Sequence, residues 1–247
     1  MFLKYILDNF LMVLILEVGA AIAGSLYLRK LKYPEKGIKL IVYYLWLVVV
    51  VELVGLYPSY AYFHDYKRLG FIQGTLFERN YWWFNSYNIL KFIILYVFFI
   101  FQLDSRAKRK ILLLISGLLV ISFIYVQIFG GEFFKSYSAY IAIAGTVYLM
   151  ILILLYHFEI LKSEKILKFY KSMPFYVSIG MLIWHVTTTP VFIYNKYFSL
   201  QSPDFIYIQF LILKLVNIFL YGLLILGFMV CRYHRKKISR EGFLTGK

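Results

Sequence analysis

Three observations predict an all-α, polytopic membrane protein built as a seven-transmembrane-helix bundle. Of the 247 residues, 62% are hydrophobic and 16% charged, with a mean hydropathy of +0.74, well outside the composition of soluble domains. Seven apolar windows of roughly 18 to 27 residues recur, each about the length that crosses a ~30 Å hydrocarbon core as helix. The basic residues concentrate in every second connection. Those connections are too short to fold by themselves, so residues 1–247 are expected to form a single domain.

Span one, Phe10–Leu28, carries Glu17 and the small residues Gly19, Ala20, Ala23 and Gly24. Their four-residue spacing lets helix backbones approach closely, and places span one inside the bundle. Ala21-Ile22-Ala23 has the form of a signal-peptidase site, but Asp8 and Glu17 interrupt the apolar stretch and five basic residues follow it. The segment is therefore expected to stay as a span. Span two, Leu40–Tyr57, carries Glu52, and span three, Phe84–Leu103, carries Asn88 and Lys91. Span four is Ile111–Phe129. Span five, Tyr137–Tyr156, pairs Ser138 with Ala142 at the same small-residue spacing and is also expected inside.

Span six, Pro174–Tyr194, carries His185 and Pro190. The proline removes a donor from the carbonyl of Val186 and bends the helix, and the hydroxyls of Thr187, Thr188 and Thr189 are placed to re-satisfy that backbone. Pro190 is the candidate gating residue. Span seven, Phe205–Cys231, carries Lys214, Asn217 and Tyr221.

Charge position sets the expected orientation. Of the 27 basic residues, nineteen fall after spans one, three, five and seven, six fall on the other side, and Lys91 and Lys214 lie within spans. Positive residues stay in the cytoplasm, which puts the N-terminus outside and the C-terminus inside. The net charge of +15 then serves orientation and contact with anionic lipid, not nucleic acid. Twenty-four Tyr, 24 Phe and four Trp crowd the span ends, as interfacial belts require. The single cysteine, Cys231, excludes an internal disulfide and a cysteine-based metal centre.

Residues 21–28, AIAGSLYL, recur as AIAGTVYL at 142–149, and Ile89-Leu90-Lys91 recurs as Ile212-Leu213-Lys214. Both echoes join span n to span n+4, which reads either as a parallel 3+1+3 repeat or as chance in an apolar alphabet. In span count and order the layout resembles the SWEET-type sugar carriers and the PnuC-type vitamin carriers. Spans one and five lack the proline–glutamine pair, so that resemblance carries over no residue role. Lys214 in span seven and Pro190 in span six also resemble the pattern of microbial rhodopsins, but Phe210 stands where their aspartate would be, and Lys91 opposes a protonated Schiff base.

Charges inside hydrocarbon are expensive and need a partner, water or a ligand. At the helical rise, Glu17, Glu52, Lys91, His185 and Lys214 fall on the order of 8–14 Å below the outer boundary. Helical phase adds Asn88 to Lys91, Asn217 and Tyr221 to Lys214, and Ser178 and Thr189 to His185. Glu17, Glu52, Asn88, Lys91, His185, Thr189, Lys214 and Asn217 are the candidate ligand-binding residues. Two readings stand: a site for a small polar or zwitterionic solute, or ion pairs between Lys91 or Lys214 and Glu17 or Glu52 that hold the bundle. His64, His157 and His234 are expected to be solvated, and the 58–82 loop either covers the cluster or rests in the interface.

No HExxH, GxSxG or glycine-rich phosphate loop occurs, and the sequence implies no metal, cofactor or catalytic centre. The expected function is a small-solute transporter in a bacterial plasma membrane. The alternative is a ligand-sensing module that acts through its basic loops or a partner subunit.

Overall fold

A computed structural model describes residues 2–29, 37–197 and 203–244. Lys30, Lys32, Lys36 and Lys247 of the basic segments lie outside them. The described residues are all-helical, and seven of their helices are long and apolar enough to cross a membrane. The protein is thus a polytopic, multi-pass membrane protein.

A short helix α1 (Phe2–Asn9) precedes the first span, α2 (Leu11–Arg29). Span two is α3 (Ile38–Gly55), which breaks at Leu56 and continues as α4 (Tyr57–Phe63), with Pro58 in its first turn. That position suits proline, whose missing N–H has no helical partner there. Then come α5 (Tyr81–Gln102), α6 (Arg106–Phe129), α7 (Ala139–Leu161), α8 (Met173–Tyr197) and α9 (Pro203–Leu244). Ser105 caps α6 by accepting from the Lys108 amide, and Arg109 donates to the Leu103 carbonyl at 2.6 Å.

Packing closes α2, α3, α5, α7, α8 and α9 into a ring in that order, α9 returning to α2, while α6 packs outside on α5 and, more lightly, α7. We call the end where α2 begins the upper end. There Asn85 at the start of α5 joins the backbone before α7, and at the lower end Glu159 of α7 receives the Asp104 amide at 2.8 Å and pairs with Lys108 at 3.1 Å.

Span five is interior, with half of its window buried (50%), but span one is not, at 28%. The reason is that α2 uses its small residues on one side only. A side chain at Gly24 would strike Val42 and Phe228, and one at Gly19 would touch Ile225, whereas Leu11, Met12, Ile15, Ile22 and Leu26 are exposed on the other side. Close approach of two backbones needs one small face, not a buried helix.

Below the mid-plane the ring is filled by apolar side chains. Tyr27, Leu95, Phe99, Leu152, Val177 and Phe228 are all essentially inaccessible, so polar space is confined to the upper half.

Candidate functional site

The ring leaves a cavity of about 460 Å³ in its upper half, within the range of small-molecule sites. Every expected binding residue lines it: Glu17 from α2, Glu52 from α3, Asn88 and Lys91 from α5, His185 and Thr189 from α8, and Lys214 and Asn217 from α9. Helix α8 contributes Met181, Trp184, His185, Thr188, Thr189 and Phe192, the i, i+3, i+4 progression of a single face. Pro190 lies off that face, is exposed, and does not line the cavity.

The charges are not arranged as expected. Among the described residues the one ion pair is Lys108–Glu159 at the lower end, so the anticipated pairing of Lys91 or Lys214 with Glu17 or Glu52 does not form. Both ammonium groups turn to aromatic rings instead. Lys91 Nζ lies 4.8 Å from the centre of Trp184 and 4.9 Å from that of Phe92, and Lys214 Nζ lies 5.7 Å from Phe210. A ring face attracts a cation without requiring a desolvated carboxylate.

Polarity is therefore divided between two walls. Glu17 and Glu52 lie within electrostatic range of each other and of the phenols of Tyr44 and Tyr221, and the Tyr44 and Tyr87 hydroxyls are 3.2 Å apart. On the other wall Lys91 neighbours His185. Thr146 Oγ1 is 3.0 Å from His185 Nδ1 and 3.1 Å from Thr189 Oγ1, and Trp184 Nε1 donates to Asn217 Oδ1 at 2.7 Å. These bonds fix the imidazole and the indole. His185 Nε2 and Thr188 Oγ1 are buried in the same wall with no hydrogen-bond partner.

Three smaller expectations fail. Ser178 does not join His185; its hydroxyl donates to the Phe175 carbonyl and lies 3.3 Å from His157 Nε2. His157 and His64 are half-buried: His157 is also held by the Ile153 carbonyl, and His64 by the Tyr60 carbonyl and the rings of Phe2 and Tyr60. Thr188 and Thr189 do not turn back to Val186, since Thr189 bonds Thr146 across the helix interface and Thr188 finds no partner among the described residues. At Thr189 a side-chain partner on a neighbouring helix takes the place of a local backbone bond.

The mouth is built by α1, to which the sequence gave no role, together with α4 and the upper ends of spans one and two. Helix α1 and α4 meet through Phe2–Tyr60 and Tyr5–Phe63 ring contacts, and Tyr5, Phe10, Leu56 and Ser59 line the cavity. The loop beyond α4 folds onto itself. Tyr57 Oη donates towards the Phe77 and Arg79 carbonyls, Trp82 Nε1 donates to Tyr57 Oη, and Asn80 Nδ2 donates to the Gly55 carbonyl at 2.7 Å.

Tyr44, Tyr87, Thr146 and Trp184 are site residues that sequence reasoning missed. Tyr87 stands one turn before Lys91 and Tyr44 two turns before Glu52, so helical phase held a signal for both. Nothing in the sequence marked Thr146 or Trp184, whose roles arise from neighbouring helices. Comparison of the chain with protein-family models, with curated proteins and with solved structures found no match.

Proposed function

We propose that this protein is a transporter for a small polar solute, held in the upper-half cavity and released by rearrangement of the ring. The observation that carries the reading is the cavity at the centre of six packed spans, into which charged side chains from four helices project without pairing and beside which, among the described residues, buried polar atoms lack partners. A purely structural network would pair its charges, because an unpaired buried charge is costly. With the basic loops in the cytoplasm, the chamber faces the outside of a bacterial plasma membrane, and anionic lipids contact the opposite face. The division of the ring into spans one to three and five to seven, with span four outside, supports a parallel 3+1+3 repeat, and Pro190 marks α8 as the helix that bends during access.

The packed apolar lower half favours a second reading, a ligand-sensing cup that signals through a partner subunit without moving solute. One experiment separates the two. A thermal-shift screen of amino acids, sugars and nucleosides on the purified chain should yield a stabiliser whose effect disappears with Lys214→Met. Labelled stabiliser should then accumulate in proteoliposomes; binding without accumulation assigns the receptor, and no stabiliser in the screen rejects both.

A further inference from the structure

We infer that the cavity takes a zwitterion in one orientation, with its carboxylate on Lys91, His185 and Thr188 and its ammonium on Glu17 and Glu52. This rests on the solute-site reading above and narrows it to a class of ligand.

Lys91 is 6% exposed, His185 2% and Thr188 1%, and all three line the cavity. His185 Nε2 and Thr188 Oγ1 have no partner, although buried polar atoms almost always find one. Both residues sit on the cavity face of α8, one turn apart, and His185 neighbours Lys91. Thr146 Oγ1 holds Nδ1 at 3.0 Å; in the tautomer in which that hydroxyl donates, Nε2 carries the ring proton and is a donor. The three residues line one cavity, and a carboxylate that reaches the ammonium, the imidazole N–H and the hydroxyl satisfies all three at once.

The opposite wall has the complementary need. Glu17 and Glu52 lie within electrostatic range of each other, Tyr221 is hydrogen-bonded to Glu17, and among the described residues neither carboxyl pairs with a cation. The phenol rings of Tyr44, Tyr87 and Tyr221 line the cavity beside them, offering an ammonium both carboxylate oxygens and ring faces. A ligand with one charge would complete one wall and leave the other uncompensated. A molecule carrying both charges completes both, and the separation of the walls sets its orientation.

The test uses the purified full-length chain in detergent and three matched probes: 5-aminovalerate, valerate and pentylamine. Binding is read by calorimetry, with glycine to 6-aminohexanoate covering chain length and glucose and uridine as neutral solutes. An ω-amino acid should bind about 10-fold or more tighter than either single-charge analogue, the value of one charge-assisted contact. Lys91→Met should weaken the zwitterion and valerate but not pentylamine, and Glu52→Gln should weaken the zwitterion and pentylamine but not valerate. Should Lys91→Met fail to fold, Thr188→Val reads the same wall and should give the same pattern at smaller amplitude. Equal affinities for all three probes, or a Lys91→Met variant that weakens pentylamine as much as valerate, would overturn the proposal. Binding of glucose or uridine with no ω-amino acid bound rejects the zwitterion and keeps the solute site; no binding by any probe rejects both.

Discussion

Lys91 on α5 and Trp184 on α8 meet inside the cavity although α7 stands between their helices in the ring, with the ammonium 4.8 Å from the indole centre. Trp184 is in turn anchored to Asn217 of α9. Three spans are thus tied by a cation and an aromatic ring, with no carboxylate in the contact.

This relationship has an energetic signature. In a double-mutant cycle read by thermal unfolding in detergent, Lys91→Met with Trp184→Leu should show a coupling of about 0.5–2 kcal/mol. The cycle of Lys91→Met with Glu52→Gln should be additive within about 0.5 kcal/mol. A carboxylate coupling larger than the tryptophan coupling would mean that the ammonium pairs with the acid after all.

Gly145 fixes the floor. A Cβ there would run into the Phe92 ring, which stacks on Tyr96 and packs against His185 at 5.5 Å. Gly145→Ala should destabilise the protein by about 1–3 kcal/mol, the usual cost of overpacking. Gly222→Ala, where a Cβ would meet no atom of another described residue beyond its own helix turn within 4 Å, is the matched control and should lose nothing. Equal melting temperatures for the two variants would place Phe92 elsewhere.

Asn80 fastens the loop to the break between α3 and α4. Its replacement by Ala should cost about 1 kcal/mol and act locally. Hydrogen exchange of residues 64–80 should accelerate while the lower halves of the spans keep their protection. Uniform acceleration along the chain would show that the bond supports the whole bundle.

The proposed orientation is open to labelling. In a Cys231→Ser background, Leu76→Cys should react with a membrane-impermeant maleimide in intact cells, and Lys168→Cys should react only after lysis. Both positions are exposed at opposite ends of the bundle, so the reverse pattern would invert the topology.

Length and polarity along the chain determined the seven spans, because a ~30 Å apolar slab accepts only apolar helices of that length. The boundaries moved by a few residues, from Ile111 back to Arg106 in span four and from Tyr156 on to Leu161 in span five. Helical rise and phase also foretold that Glu17, Glu52, Lys91, His185 and Lys214 share a layer, since both are properties of a single helix. Partner choice was decided by the tertiary structure alone. Ring order brings Trp184 to Lys91, Thr146 to His185 and Tyr44 to Tyr87, and leaves α2 with one face outside. One-dimensional periodicity says which face of a helix is polar; only the packing of six helices says what that face meets.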